Sequence, residues 1–275
     1  MTTAHRPPAA LTHSVLAAAL VDADRLAAWQ ADPGRLDEYG IEPSALDLDG
    51  LADFAGLAER VRHNPCRRDL QLTFRLLWLA KLEVALFREY TPVSLQRRRA
   101  GLNTTADRIA GLAGFVAGWA DGDPVREVIR ETLEHEQTVA QLRHADVPVP
   151  PPDAGPARPD GPAVPLPNGQ LVVRSASCSP QQVAEVLQVN QPDLGSIERG
   201  SWTLIYRRGF DGSLTVSETD RGLGALVRVV TGDADVATLA DRLRVPQDLL
   251  SAMLDRLTGL GIFWWRSGET AQPCA

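Results

Sequence analysis

The sequence is poor in cysteine, and its cysteines are not spaced for a metal site or a disulfide framework. There are 3 of them, Cys66, Cys178 and Cys274, far apart and odd in number, which argues against both kinds of site. No apolar run approaches the ~20 residues that a membrane-spanning helix needs. The apolar stretch 16–21 is short and is followed at once by Asp22, unlike a secretory signal. We expect a soluble protein in the reducing cytoplasm.

Lysine is almost absent, since Lys81 is the only one and arginine carries nearly all of the positive charge. We interpret this, with the abundant alanine, as a base-composition bias of the source genome. The 275 residues have a net charge of −7, so the chain has no overall attraction to nucleic acid or to an anionic membrane. The length suggests one large domain or two ordinary ones.

Recognisable catalytic motifs are missing. There is no phosphate-cradling glycine loop, no nucleophile elbow and no dinucleotide fingerprint. Two arginines after Cys66 at a predicted helix start favour a lowered thiol pKa, but His63 is the only base near it in sequence. We therefore predict no catalytic residues, no cofactor and no enzyme activity of the chain alone.

One helical segment carries a pattern that metal sites use. Glu131 and His135 are four residues apart and share a helix face. A metal site needs three or four ligands, however, and Glu83 and Glu89 have no supporting spacing. We predict that this stretch, with Glu136, is a solvated acidic face and that the chain holds no metal.

Apolar residues recur with helical period through about residues 11–144, separated by short breaks. Residues 70–87 are apolar nearly all round and predict a central helix, closed by Pro92. The three arginines 97–99 are then expected in a loop. Long amphipathic helices with short breaks predict an antiparallel bundle, a helical domain over residues 1–145.

Residues 146–167 contain nine prolines and few apolar anchors. Proline at that density favours extended polyproline geometry and a semi-rigid spacer. We predict a linker there, followed by a second domain over residues 168–275.

The most regular part of that second domain is 202–266. Residues 202–206 alternate in polarity, which predicts a half-buried strand, and Asp211-Gly212 predicts a hairpin. Three amphipathic helices and a closing strand follow, with apolar stripes at 223–230, 236–243, 250–257 and 262–265. This order predicts a small winged helix, so the expected fold class is α+β, mostly α.

The third of these helices has two apolar rows instead of one. An inner face of Leu250, Met253, Leu254 and Leu257 is flanked by a second row of Leu249, Met253 and Leu260. A helix that covers a small core needs one stripe. Either the second row borders an open groove beside a strand edge, or the domain buries both rows.

A winged helix also suggests DNA binding, with the third helix as the recognition helix. Its outward residues include Asp248 and Asp255, which phosphates repel, and Arg256 does not offset both. Residues 163–275 hold ten arginines and twelve acidic residues. A DNA-binding transcriptional regulator therefore stands as the alternative function.

The residues of this segment resemble the RiPP recognition element, the winged helix that binds leader segments of ribosomally made, modified peptides. The resemblance is carried by 213–216 (SLTV), 223–226 (LGAL), Gly232, 236–240 (VATLA), Leu250, Leu254, Leu257 and 261–263 (GIF). Residues 26–33 and 54–68 are similar to helical regions of partner proteins of multinuclear non-heme iron-dependent oxidases (MNIOs).

The resemblance implies a non-catalytic accessory subunit of RiPP (natural product) biosynthesis. Such a subunit binds a precursor peptide as an added strand, in the cleft between the 214–216 strand and the third helix. The residues implied at or near this cleft are Leu214, Thr215, Val216, Ser217, Leu249, Leu250, Met253 and Leu257. The iron would belong to a partner MNIO, bound as a heterodimer through the bundle or through Trp264 and Trp265.

Overall fold

The computed structural model describes residues 9–20 and 22–267, so Cys274 and the outer ends of both predicted domains lie outside the described residues. The chain divides into two compact units, Met1–Gln137 and Thr138–Ala275. The division falls within the helix Pro124–His144. The fold is α+β and mostly α, with two small antiparallel sheets.

The first unit is helical throughout its described part. Its helices are α1 (Ala9–Leu20), α2 (Ala23–Ala31), α3 (Leu48–Arg62), α4 (Gln71–Leu79), α5 (Glu83–Arg99), α6 (Thr105–Trp119) and the first turns of α7 (Pro124–His144). Short 3₁₀ segments at Pro33–Tyr39, Pro43–Ala45 and Asn64–Arg68 connect them. Side chains cap several starts: Asp22 and Asp47 accept backbone N–H bonds, and Thr104 forms a capping box with Asp107.

The predicted central helix is two helices, and Pro92 does not end the second. Lys81 adopts a left-handed backbone (φ 58°) between α4 and α5. Helix α5 continues through Pro92 to Arg99, although the proline lacks the N–H for one helical bond. Burial of Phe87 and Leu95 on either side favours continuation. The prediction of a loop over 97–99 is therefore wrong, since those arginines form the last turn of α5.

Helices α3 and α5 approach closely because α3 has a glycine at the contact. A Cβ on Gly56 would lie 2.7 Å from the backbone nitrogen of Arg88. Any larger residue would therefore push the two helices apart.

Glu136 on α7 caps α4 from outside that helix. The backbone N–H of Leu72 donates to its Oε1 at 2.8 Å, and that of Thr73 donates to its Oε2 at 2.9 Å. These amides belong to the first turn of α4, where no intrahelical acceptor exists. The side chain is buried, so the prediction of a solvated acidic face is wrong here.

The second unit contains the last turns of α7 and all of the described strands. In chain order these are β1 (Ala154–Gly155), β2 (Ala163–Pro167), β3 (Gln170–Ala176), α8 (Pro180–Gln188), β4 (Trp202–Arg208), β5 (Leu214–Thr219), α9 (Arg221–Val229), α10 (Val236–Leu243), α11 (Gln247–Gly259) and β6 (Phe263–Ser267). They form two antiparallel sheets with strand orders β1-β6-β2 and β3-β4-β5.

Residues 154–155 and 163–167 of the proline-rich segment pair in a sheet, unlike the extended spacer that its composition predicted. Strands β1 and β2 flank β6, and Pro165 is the register partner of Trp265. An edge strand accommodates proline because one of its sides needs no donor. Val164 and Leu166 are buried, which gives this segment the apolar anchors that its composition did not suggest.

Strand β4 is buried on both faces, unlike the half-buried strand that its alternation predicted. Ile205 packs into the core formed with α9, α10 and α11. On the other face Leu204 and Tyr206 pack against Leu142 in the last turns of α7. Arg174 of β3, on that same face, donates to Thr138 Oγ1 at 3.0 Å.

We predict that Glu136→Ala lowers the free energy of unfolding by about 2–6 kcal/mol. Two helix-start amides would lose their buried acceptor, and each unmade bond costs about 1–3 kcal/mol. Chemical denaturation of the full chain measures this, with the exposed Glu38→Ala as the control. A loss no larger than that of the control would contradict the capping role.

The pH dependence of Glu136→Gln tests the same site. Burial raises the pKa of Glu136 above its ordinary value. The hydrogen bonds from the backbone N–H groups of Thr73 and Leu72 lower the pKa, but by less. The stability of the natural chain relative to Glu136→Gln is therefore greatest below about pH 4.3, the unfolded pKa. It falls as pH rises through the folded pKa. A relative stability that rises with pH would contradict this assignment.

Candidate functional site

The two apolar rows of α11 differ in burial. The inner row of Leu250, Leu254 and Leu257 is at most 1% exposed and belongs to the core. In the second row, which we call the outer row, Leu249 is 51% and Leu260 45% exposed. Met253 lies between them, partly buried against the core. The unit therefore buries one row and leaves most of the other accessible.

The outer row lies on the flank of α11 that is nearer to β5. On one flank Arg158 donates to Ser251 Oγ at 2.9 Å and covers the Trp265 ring. On the other, Arg256 lies 3.9 Å from Asp220, the residue that follows β5. Successive residues of a helix are about 100° apart around its axis. Leu249, Met253 and Leu260 therefore lie on the same flank of α11 as Arg256, and Ser251 lies on the opposite flank.

Arg207 of β4 joins the end of α11 to β5. Its Nη1 donates to the carbonyl of Gly261 at 2.8 Å, and its Nε donates to Thr215 Oγ1 at 3.1 Å. With the contact between Arg256 and Asp220, these bonds bring the outer-row flank of α11 and β5 to the same side of the unit. We infer a gap between them, which we call the β5–α11 groove.

Strand β5 is an edge strand, and within the described residues it pairs only with β4. The hairpin fixes which of its backbone groups point away from β4. Gly209 N–H donates to the carbonyl of Ser213 at 2.8 Å, and antiparallel hydrogen-bonded pairs alternate along the ladder. The N–H and C=O groups of Leu214, Val216 and Glu218 therefore point outward, towards a strand that could pair with β5.

Register also separates the side chains of β5 by face. Thr215 and Ser217 are the register partners of Arg207 and Ile205. Their side chains therefore lie on the face of the sheet that packs against α9, α10 and α11. The side chains of Leu214 and Val216 lie on the opposite face, where Leu214 packs with the α7-side cluster and Val216 is 39% exposed.

The predicted site residues therefore divide into three groups. Thr215, Ser217, Leu249 and Met253 have side chains on the groove side, whereas Leu214 and Val216 offer the groove main-chain groups. Leu250 and Leu257 are in the core and are not accessible to a peptide, because they fill the space beneath Ile205.

Two residues of the site escaped the sequence analysis. Glu218 has outward main-chain groups, and its carboxylate accepts from Ser179 at the start of α8. The alternation from the Asp211-Gly212 turn was the signal that could have identified it. Arg207 is buried and holds the groove's two walls, a role that no local pattern indicates.

The hairpin that presents β5 is fixed by its own turn. Asp211 Oδ1 accepts from the Ser213 N–H at 3.0 Å and from the Ser213 hydroxyl at 2.6 Å. These bonds hold the pKa of Asp211 below its ordinary value. Gly212 takes a left-handed φ of 77°, which glycine adopts without strain.

The opposite edge of the sheet, β3, differs from β5. By the same alternation its outward carbonyls include that of Val173, and the Arg228 side chain reaches it at 3.5 Å. Arg228 and Val227 of α9 line a groove there with Leu171. An added strand at β3 would have to displace this guanidinium, whereas within the described residues no side chain is hydrogen-bonded to the outward main-chain groups of β5.

The remaining chemical candidates from the sequence have structural explanations. Cys66 is fully buried, and burial raises the pKa of its thiol to about 11, opposite to the lowering expected from its arginine neighbours. Glu131 lies 3.3 Å from Arg130. Within residues 9–20 and 22–267 no three His, Cys, Asp or Glu side chains group as a metal site would require.

The tryptophan pair is divided between core and surface. Trp265 is 2% exposed and belongs to the core. Trp264 is half-buried, with its ring 5.0 Å from that of Phe210. Only Trp264 is therefore accessible to a partner.

No protein-family model matches the chain, and no curated protein is significantly similar to it. Among the described helices, none combines the length and apolar character needed to cross a bilayer. The geometry of the β5–α11 groove therefore carries the functional inference.

We predict that Cys66 stays unmodified by iodoacetamide at pH 8.5 in the folded chain and reacts after denaturation. A pKa of about 11 leaves almost no thiolate at that pH. Because the folded pKa is raised, the related stability is lost as pH rises from about 8.5 through 11. Peptide mass spectrometry locates the label, with free cysteine as the reactive control. Rapid native labelling would contradict the burial.

Proposed function

We propose that this chain is a non-catalytic subunit that binds a precursor peptide and presents it to a partner iron-dependent oxidase. In this proposal α9, α10 and α11 with their sheet act as a winged-helix recognition element, and the first unit is a helical bundle. The observation that supports it best is the β5 edge, unpaired among the described residues, beside the exposed outer row of α11.

Strand addition suits the chemistry of this groove. A peptide lying along β5 would exchange main-chain hydrogen bonds with Leu214, Val216 and Glu218. Alternate peptide side chains would then point towards α11, because side chains alternate across a strand. Thr215 and Ser217 are small and leave space on that face, so apolar peptide side chains would meet Leu249 and Leu260.

The expected affinity is moderate. Covering the exposed halves of Leu249 and Leu260 would contribute roughly 2 kcal/mol together. Each main-chain bond adds about 0.5–1.5 kcal/mol, and ordering the peptide offsets part of this. A moderate affinity is sufficient for presentation, because tethering beside an active site gives an effective concentration of ~mM.

The oxidase partner rests on the resemblance of residues 26–33, 54–68 and 213–263 to MNIO partner proteins. In this proposal the iron belongs to the oxidase, and the present chain supplies no cofactor. The acidic residues Asp248 and Asp255 are exposed on α11, which disfavours the alternative of DNA binding through this helix.

The direct experiment combines the purified chain with a candidate oxidase and its neighbouring precursor peptide. We expect a complex of the three on size-exclusion chromatography, and faster peptide modification when the chain is present. Stoichiometric iron in the chain alone, or activity without the oxidase, would identify an enzyme. A salt-dependent shift of duplex DNA without peptide binding would identify a regulator.

We predict that Val216→Pro weakens peptide binding at least tenfold, because it removes an outward N–H from β5. That N–H makes no bond to β4, so the hairpin should fold. Val216→Ala is the matched control, since it keeps the N–H and loses only the side chain. Fluorescence anisotropy of a labelled peptide measures both, and equal affinities would exclude pairing at this position.

We also predict that Leu249→Asp weakens binding about tenfold without unfolding the chain. Leu249 is exposed and lies in the first turn of α11, where an aspartate suits the helix dipole. Ala252→Asp is the control, with the same charge on the solvent face of α11. Equal effects of the two variants would show that charge alone, and not the outer row, governs binding.

A further inference from the structure

Four arginine side chains converge on one pocket in the first unit, with a volume of about 270 Å³. Arg97 and Arg98 come from the last turn of α5, Arg62 ends α3, and Arg108 is in α6. Tyr90 and Ser94 also line it. We call it the arginine pocket; it is independent of the β5–α11 groove and lies entirely within the first unit.

Two acidic residues at the arginine pocket, Glu59 and Asp107, do not by themselves balance its charge. Glu59 is buried beneath it, where it accepts from Ser94 and lies 3.1 Å from Arg62 Nη1. Asp107 accepts from Thr104 in the capping box of α6. Glu59 and Asp107 together supply two carboxylates, fewer than the four guanidinium groups. Burial lowers the pKa of the neighbouring His63. His63 therefore adds little positive charge to the pocket at neutral pH.

Arg98 is the least satisfied of the four. Its Nε and Nη2 atoms are buried and make no hydrogen bond within the described residues. The Glu59 carboxylate is 3.9 Å from Nη2, beyond hydrogen-bond distance. Burial, and next the repulsion from Arg62, lower the pKa of Arg98. Its unmade bonds and its like-charged neighbour both favour an added anion.

The other arginines are positioned by neutral acceptors, which orient a guanidinium without cancelling its charge. Arg97 Nη2 donates to the carbonyl of Asp107 at 3.0 Å, and Arg108 Nη1 donates to the carbonyl of Arg62 at 3.1 Å. We propose that the arginine pocket binds a small oxyanion, the phosphate or carboxylate group of a ligand, with Arg98 as its main donor. Guanidinium forks match both groups geometrically.

The test measures binding of inorganic phosphate and of succinate to the full chain, by calorimetry at low ionic strength with chloride held constant. We expect saturable binding of one molecule per chain, and a loss of at least tenfold in affinity for Arg98→Gln. The exposed Arg35→Gln, on an arginine paired with Asp32 at 3.6 Å, should leave the affinity unchanged.

The two anions distinguish the source of the ligand group. Binding of phosphate alone would indicate a phosphorylated ligand, and binding of succinate alone a carboxylate. Because Arg98→Gln could perturb α5, Arg98→Lys provides a second variant that keeps the charge and loses the fork; we expect weakened binding with unchanged circular dichroism. The proposal would be overturned if neither anion showed saturable binding. It would also be overturned if Arg98→Lys bound the anion as tightly as Arg35→Gln does.

Discussion

The burial of β4 on both faces is the constraint on which the second unit depends. Ile205 anchors one face to α9, α10 and α11, and Tyr206 anchors the other to the end of α7. With both faces covered, the sheet can be extended only sideways, at β3 or β5. Arg228 reaches the outward carbonyl of Val173 on the β3 side. Covering both faces therefore directs any added strand towards β5, the edge with no such side chain in the described residues.

In the proposed function, helix α11 connects this constraint to peptide recognition. Its inner row, with Leu254 fully buried, holds the core, and its outer row borders the β5–α11 groove. A substitution in the inner row would therefore change stability before it changed binding, whereas Leu249 and Leu260 can change with little cost to the core. Main-chain pairing carries little sequence information, so peptide selection in our proposal must come from the outer row and the small residues of β5.

Local patterns in the sequence predicted local structure well and long-range partners poorly. The turn at Asp211-Gly212, the three helical stripes and the two rows of α11 follow from spacing alone, because each reflects the amphipathicity of one element. The pairing of 163–167 with β6, the second cover of β4 and the capping by Glu136 depend on segments distant in sequence. The predictions for Pro92 and for the proline-rich segment failed for the same reason. Proline lacks a backbone N–H, and tertiary packing decides whether that hydrogen-bond donor is needed at a given position.

The arginine pocket shows why the shortage of lysine has a structural consequence, whatever its origin in the genome. A lysine buried among like charges loses its proton readily, whereas a guanidinium keeps its charge. Four arginines can therefore remain cationic around the buried Glu59. The repulsion of Arg98 by its arginine neighbours lowers the stability of the folded state. Glu59 offsets part of that cost at Arg62, whereas the carbonyl groups that hold Arg97 and Arg108 cancel none of their charge. An anion would relieve the repulsion, and ligand binding there would stabilise the contact of α3, α5 and α6 on which the first unit is built.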